Sequence, residues 1–320
     1  MRDVMHIVLV DKHRLPVFGY GGSERITWWL AKGLAHMGHR VTLLTHPQSK
    51  CPFAKVIPLD KKIPLEAQIP RDADVVQFQF KIQNPPISIP YVVSIHGNGK
   101  PGETYDPNSV FLSQKHAENH GASCFVYCGL DPEEYGPFDP QSARKHFLFL
   151  AKASRKVKNL KGCIRIAKAL NTSLAIVGGR GWSFDPRIRY MGYLDGEKKN
   201  QVLRESIALL FPVLWEEPFG LAMIEALYHG APVYGTPFGS LPELVPSDVG
   251  FLSSNLDDLI ASLREGIPFD RKRCHEWVCD HFLHSHMAKG YLQLYEKVGR
   301  GEKLNPQLPV KKAEATRYVQ

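Results

Sequence analysis

Short apolar runs alternate with longer amphipathic segments along most of the chain. The first runs are HIVLV and HRVTLLT, and the segment ERITWWLAKGLAHMG between them has helical spacing, with Gly38 where a helix should end. Further runs follow as DVVQFQF, YVVSIHG, CFVYCG, HFLFLAK, SLAIVGG, IALLFPVL and APVYGT. Strands that alternate with helices predict an α/β protein with doubly wound parallel sheets.

The length of 320 residues favours two such domains, each with its own core. Residues 128–146 interrupt the pattern with three prolines and two glycines, so the boundary is expected there. We predict one Rossmann-like domain over residues 1–140 and a second over residues 141–284, with a cleft between them. Residues 299–320 have few large apolar side chains and are predicted to form a loosely ordered tail.

Composition is typical of a soluble globular protein, with 43% hydrophobic and 22% charged residues. No apolar run approaches the roughly 18 to 20 residues of a membrane helix, and the N-terminal run MHIVLV is too short for a signal peptide. Six scattered cysteines do not suggest a disulfide framework. We therefore expect a cytoplasmic protein with reduced thiols. The net charge of +8 favours an anionic partner without fixing its kind.

The stretch WEEPFGLAMIEAL, residues 215–227, carries candidate binding residues. Glu217 follows an apolar run typical of a central parallel strand, and ligands bind at that edge of open parallel sheets. Glu225 lies within an almost wholly apolar helix, where a buried carboxylate needs hydrogen-bond donors. Ribose hydroxyls would serve; the alternative is a core Lys, Arg or His, with Glu217 a solvated loop acid. The amides of Phe219, Gly220 and Leu221 begin the helix and suit the oxygens of a sugar or phosphate.

The stretches EEPFGLAMIEAL and HGAPVYGTPFGSLPELV resemble the retaining glycosyltransferases of family 4, which have the two-domain GT-B fold and two glutamates flanking seven residues. VFGYGGSERITWWLAKGLAHMGHRVTLLT resembles the first Gly-Gly-x-Glu loop and helix of that family, and SIHGN resembles its first-domain histidine strand. MAKGYLQLYEKV resembles the final helix, which in the family crosses back onto the first domain, here over residues 285–298. The resemblance covers nearly the whole chain and implies the GT-B fold, with residues 1–140 as the acceptor-side domain and residues 141–284 as the nucleotide-sugar-binding domain.

The resemblance also implies a site for the sugar and nucleoside of a donor. Glu217, with the amides of Phe219 and Gly220, would hold donor-sugar hydroxyls, and Glu225 would hold the ribose. His96 would sit beside the transferred sugar; the alternative is a hydrogen-bonded histidine at a strand end. Met191 and Tyr193 fall in the region where the family recognises the base.

A second set of positions would bind the diphosphate. Gly21 and Gly22 would bring backbone amides close to it. Lys152 replaces the arginine that the family has after the first strand of its second domain. Lys158 is the better match for the second cation, with Lys161 as its rival, and two cations there would neutralise a departing diphosphate without a metal. The implied catalytic residues are His96, Lys152, Lys158 and Glu217.

Other patterns suggest different chemistry, and we predict none of it. Residues 274–286, CHEWVCDHFLHSH, hold two cysteines and four histidines, but their spacing fits no zinc finger. Asp72 and Asp74 imitate the Asp-x-Asp metal motif of the other glycosyltransferase fold, yet they begin a predicted strand. YGGSE lacks the third glycine of a dinucleotide fingerprint, and no nucleic-acid module accompanies the charge. No cofactor, metal or nucleic-acid partner is expected.

These inferences predict a retaining glycosyltransferase that moves a sugar from a nucleoside-diphosphate donor to a glycan, lipid-linked or small-molecule acceptor. Peripheral contact with the inner face of a membrane stays open. Two alternatives also stay open: a non-catalytic sugar-nucleotide-binding GT-B protein and a GT-B sugar-nucleotide epimerase. The sugar, the base and the acceptor are not readable from the sequence.

Overall fold

The computed structural model describes residues 4–17, 19, 21–266 and 268–313. The chain forms two compact units. The first comprises the described residues from 4 to 129 together with residues 283–313, and the second comprises the described residues from Leu130 to Phe282. The change of unit thus falls after Gly129, whereas the sequence pattern placed it after residue 140. Residues 130–139 pack in the second unit, where the Tyr228 hydroxyl donates to the Gly136 carbonyl.

The first unit is built around one parallel sheet with flanking helices. Its strands are β1 (His6–Val10), β2 (Arg40–Thr45), β3 (Lys55–Pro58), β4 (Val75–Phe78), β5 (Tyr91–Ser94) and β6 (Ser109–Val110). Its helices include α1 (Gly22–His36), α2 (Leu65–Gln68) and α3 (Gln114–Glu118). The strands lie in the order β3-β2-β1-β4-β5-β6, all parallel. Every residue of β1 and β4 is buried, as their apolar sequences require for strands covered on both faces.

The second unit repeats this architecture. Its strands are β7 (His146–Leu150), β8 (Leu174–Val177), β9 (Ile188–Gly192), β10 (Ser206–Phe211), β11 (Val233–Gly235) and β12 (Gly250–Leu252). Its helices are α4 (Pro132–Tyr135), α5 (Leu160–Ala169), α6 (Gly196–Arg204), α7 (Leu221–Tyr228), α8 (Leu241–Leu244), α9 (Leu256–Glu265) and α10 (Arg271–His281). The parallel strands lie in the order β12-β11-β10-β7-β8-β9.

The strand order reverses once in each sheet, beside its first strand. The reversal lies between β1 and β4 in the first unit and between β7 and β10 in the second. Successive connections leave in opposite directions there, so a crevice opens outside the carboxyl ends of the two strands, and ligands bind in such crevices. The fold therefore directs attention to the loops that follow these four strands.

The last helix, α11 (His284–Gly299), belongs to the first unit. It packs on α1 and β5. The hydroxyls of Ser94 and Tyr291 are 2.9 Å apart, and the Tyr295 hydroxyl donates to Oε1 of Gln77. Among the described residues, no helix is both long and apolar enough to cross a membrane.

Residues 302–313, which follow α11, have more fixed contacts than their composition predicts. Asn305 is buried, and its Nδ2 donates to the carbonyls of Pro107 and Ser109 at 3.0 and 2.8 Å. The Val310 amide donates to the His120 carbonyl at 2.7 Å. The prediction of a loosely ordered tail is therefore wrong for residues 302–313, because backbone and amide hydrogen bonds hold a segment that has little apolar surface.

The sequence pattern also misassigned several strands. CFVYCG was predicted to be a strand, but only Phe125 forms a bridge, to Phe111, because this run leads out of the first unit. The four strands that the apolar pattern missed, β3, β6, β9 and β12, are the edges of the two sheets. β6 has only two residues, and β3, β9 and β12 include partly exposed ones, so these strands lack the continuous apolar runs of central strands.

Candidate functional site

The crevice of the second unit is formed by the loops after β7 and β10, which are tied together by hydrogen bonds. The loop after β7 ends in a single 3-10 turn, Lys156–Lys158. Asn159 then begins α5, and its Nδ2 donates to the Pro212 carbonyl at 2.9 Å. The Leu214 amide donates to the Val157 carbonyl at 2.8 Å. These bonds fix the 3-10 turn beside the chain that leaves β10.

Lys158 and Glu217 form a buried ion pair in this crevice. Nζ of Lys158 lies 2.5 Å from Oε2 of Glu217, and the side chains are 9% and 7% exposed. Nε1 of Trp215 donates to the same oxygen at 2.7 Å, and the ammonium lies 5.1 Å from the ring centres of both Phe211 and Trp215. Each ion of such a pair depends on the other, because an unpaired buried charge is very costly.

The loop that carries Glu217 is held in place from the start of α8. The Ser240 amide donates to the Glu217 carbonyl at 2.9 Å, and Oγ of Ser240 donates to the Phe219 carbonyl at 2.6 Å. The Gly239 amide donates to Oε2 of the buried Glu216 at 2.9 Å. Gly239 has φ +64° and passes so close to Glu217 that a Cβ atom would collide with its backbone nitrogen and oxygen. Hydrogen bonds from Gly239 and Ser240, together with this close backbone approach, thus fix the segment.

Glu225 is the second glutamate of the pair and is also buried. It lies in α7, which begins after Gly220 at φ +90° and buries every residue from Ala222 to Tyr228. Oε1 of Glu225 accepts hydrogen bonds from the Tyr135 hydroxyl at 2.5 Å and from Nζ of Lys199 at 2.9 Å. Glu225 thus has a buried lysine as its partner, which is the alternative that the sequence left open. The ribose role of Glu225 stays a prediction. Glu217 is not a solvated loop acid.

The remaining predicted residues of the second unit occupy different surroundings. Lys152 is exposed after β7. Of the two rival lysines, Lys158 lies against Glu217, whereas Lys161 is exposed on α5. Phe219 is buried, and Leu221 is the first residue of α7. Met191 and Tyr193 are 40% and 48% exposed at the end of edge strand β9, which β8 separates from β7.

The first unit brings its own polar residues to the carboxyl edge of the sheet. Asp11, directly after β1, is buried and accepts a 2.6 Å hydrogen bond from Oγ1 of Thr27. His96 follows β5, and its Nε2 lies 3.0 Å from Oε1 of Gln79. Burial lowers the pKa of His96 to about 4, although Asp11 and Glu24 act to raise it. The ring is therefore neutral at pH 7.

The geometry around His96 fits the hydrogen-bonded histidine that the sequence left as an alternative. Its Nδ1 is enclosed and has no hydrogen-bond partner within the described part of the chain. Gly21 lies just before α1, and Gly22 is the first residue of that helix. The sugar role of His96 and the diphosphate role of the two glycines stay predictions.

The residues in the two sequence patterns that could suggest a metal site make other contacts in the structure. Asp74 accepts a 2.7 Å hydrogen bond from the His6 amide, and Asp72 pairs with Arg40, whose hydrogen bond lowers the pKa of the Asp72 carboxyl. Both aspartates precede β4, at the edge of the sheet opposite Asp11. Nδ1 of His275 lies 2.6 Å from the Tyr228 carbonyl. No cluster of three or more potential metal ligands occurs among the described residues.

Sequence reasoning missed the partners of the two glutamates and the neighbours of His96. The missed residues are Asp11, Gln79, Tyr135, Lys199 and Trp215. One signal was present for Lys199: it lies three and four residues before Val202 and Leu203, on the apolar face of α6, where all three are buried. A lysine on such a face needs a buried partner.

The sequence of the second unit resembles known protein sequences. Residues 140–267 match the family model described as Glycosyl transferases group 1. A Klebsiella pneumoniae protein, "Uncharacterized 41.2 kDa protein in cps region", is 29% identical over 114 residues, which cover 33% of this chain and 32% of that protein. The match thus spans about a third of the curated relative.

Solved structures resemble the chain over almost its whole length. AviGT4, a glycosyltransferase involved in avilamycin A biosynthesis, has a TM-score of 0.77 at 23% identity, over 93% of this chain and 98% of its own. HepE from Anabaena, in complex with UDP-glucose, has a TM-score of 0.66 at 15% identity, over 92% and 100%. The protein has the GT-B fold of such enzymes, which confirms the predicted fold class. Residues 140–267 thus resemble a glycosyltransferase family model, and the chain has the fold of the glycosyltransferases compared.

Proposed function

We propose that the protein is a retaining glycosyltransferase of family 4 that transfers a sugar from a nucleoside diphosphate to a hydroxyl of an acceptor. The observation that carries the proposal is the buried Lys158–Glu217 pair, which lies at the strand-order reversal of the second sheet and just before α7. Glu225 lies four residues beyond the start of that helix. A cation, a carboxylate and a helix N-terminus together suit a ligand with phosphate and hydroxyl groups.

In the proposed reaction, the bond between the sugar C1 and the diphosphate oxygen breaks, and its electron pair stays on that oxygen. The acceptor hydroxyl forms the new bond to C1 on the same face, and its proton passes to the departing phosphate oxygen. Lys152 and Lys158 stabilise the growing charge of the diphosphate. Oε2 of Glu217 already accepts hydrogen bonds from Lys158 and Trp215, which leaves Oε1 for a sugar hydroxyl.

The neighbours guide the choice of donor. HepE has been solved with UDP-glucose, so UDP sugars are the first donors to try. The acceptor is a glycan, a lipid-linked sugar or a small molecule. We propose a cytoplasmic location; the net charge of +8 would favour peripheral contact with anionic lipid headgroups if the acceptor is lipid-linked.

The test is to incubate the protein with UDP, GDP and ADP sugars, with and without simple glycoside acceptors, and to analyse the products by NMR. We expect one donor to be consumed and the sugar to appear in the product with its anomeric configuration unchanged. An inverted product would contradict the retaining mechanism. A donor that binds but stays intact would favour a non-catalytic binding protein, and one returned with altered ring stereochemistry would favour an epimerase.

The proposed chemistry uses lysines, so we predict that transfer survives exhaustive treatment with EDTA. The double variant Asp72→Asn/Asp74→Asn should keep most of its activity, because both carboxylates bond to His6 and Arg40 at the opposite edge of the first sheet. Rates are measured before and after chelation. Loss of activity that magnesium or manganese restores would show that a metal takes part.

A further inference from the structure

The two glutamates have matching surroundings in the second unit. In each carboxylate, one oxygen accepts hydrogen bonds from a lysine and from an aromatic side chain. For Glu217 the donors are Lys158 and Trp215, and for Glu225 they are Lys199 and Tyr135. The family role assigned to Glu225 from the sequence does not include either of its donors.

Lys199 and Tyr135 are built into this contact and are not chance neighbours. The Lys199 side chain is 8% exposed and the Tyr135 residue 1% exposed. Nζ of Lys199 lies 3.3 Å from the Tyr135 hydroxyl and 4.9 Å from the centre of its ring. Because a buried ammonium is costly unless it is paired, Lys199 depends on its contact with the Glu225 carboxylate.

The contacts leave the two oxygens of Glu225 unequal. Oε1 accepts two hydrogen bonds, which occupy both of its lone pairs. Oε2 accepts none from the described residues, and it is not among their fully enclosed unpaired atoms, so it keeps some exposure although Glu225 as a whole is buried. A carboxylate with two open oxygens can hold both vicinal hydroxyls of a ribose, whereas this one offers a single open oxygen.

We propose that Lys199 and Tyr135 are positioning residues that orient Glu225 so that Oε2 accepts one ribose hydroxyl of the nucleotide. The inference rests on the proposed function, because it requires a nucleoside diphosphate at Glu225. Its consequence is unequal recognition of the ribose: one hydroxyl contributes strongly to affinity, and the other contributes little.

Calorimetric titration tests this inference. UDP, GDP and ADP are titrated first, and the tightest is compared with its 2′-deoxy and 3′-deoxy forms. In the parent protein, one deoxy form should bind about ten- to a hundredfold more weakly, the loss expected for a hydrogen bond to a charged group. The other deoxy form should bind nearly as well as the ribonucleotide.

The same titrations are repeated on Tyr135→Phe and Lys199→Met. Both variants should bind the ribonucleotide more weakly while the sensitive deoxy form binds about as it does to the parent, so the penalty for losing that hydroxyl shrinks. A role in folding alone would weaken all the nucleotides alike. Lys198→Met is the matched control, since Lys198 is the exposed neighbour on α6, and it should keep the parental penalty.

Two results would contradict the inference, and they differ from failure of the proposed function. Equal penalties for the two deoxy forms in the parent would show that the ribose is not held through one oxygen. If Tyr135→Phe, the milder variant, lost as much affinity as the parent on removal of the sensitive hydroxyl, Tyr135 and Lys199 would not be positioning Glu225. If the parent bound none of the three nucleotides, the proposed function would fall and the inference with it.

Discussion

Lys158→Ala should lower the free energy of unfolding by about 3 to 5 kcal/mol, because it leaves the buried Glu217 carboxylate without its cation. The same change should slow sugar transfer about 100- to 1,000-fold at temperatures where the variant is fully folded, since a group that stabilises developing charge is lost. Denaturant unfolding and initial rates measure the two effects.

Two further variants separate the ion pair from a general effect of charge. Lys156→Ala removes an exposed lysine from the same 3-10 turn and should change neither quantity appreciably. Lys158→Met/Glu217→Gln removes both charges and should recover much of the stability, because replacing a whole buried pair is far milder than breaking it. If Lys158→Ala were as stable as the parent, the ion pair between Lys158 and Glu217 would not be formed in solution.

Gly239→Ala should reduce transfer by about a hundredfold or more, although residue 239 has no proposed contact with substrate. The added methyl group would collide with the Glu217 backbone, so the loop that carries this carboxylate must shift. A displacement of about 1 Å near the reacting groups can cost a hundredfold in rate. Steady-state rates and the donor KM are measured on the folded variant.

Gly266→Ala provides the matched control for this change. Gly266 has φ +67°, nearly the value of Gly239, but among the described residues no atom other than those of Gly266 and its chain neighbours lies within 4 Å of the position of its Cβ. The strain of alanine at positive φ is therefore common to both variants, and the collision occurs only at Gly239. Equal activity of the two variants would mean that close packing against Gly239 does not position Glu217.

The sequence predicted the central part of each sheet and not its margins. The runs HIVLV and IALLFPVL contain β1 and β10, which lie beside the strand-order reversals. Such strands are covered on both faces, so their apolar residues are contiguous and easily recognised. Edge strands such as β3 and β12 are short and carry no comparable signal.

The candidate site was predicted in part for a similar reason. Glu217 and Glu225 stand out because each acid adjoins an apolar segment. Their partners are distant in sequence: Lys158 lies 59 residues from Glu217, and Tyr135 lies 90 residues from Glu225. The tertiary fold creates contacts between residues so far apart, so the local sequence pattern does not predict them.

Binding of nucleoside diphosphates to the parent and to Glu225→Gln tests the central claim most directly. By isothermal titration calorimetry, we predict that the parent binds at least one of UDP, GDP and ADP and that the variant binds it about ten- to a hundredfold more weakly, with its fold intact. Glu197→Gln, on the exposed side of α6, should bind as the parent does. Equal affinity of the parent and Glu225→Gln, or no binding to the parent, would contradict the account.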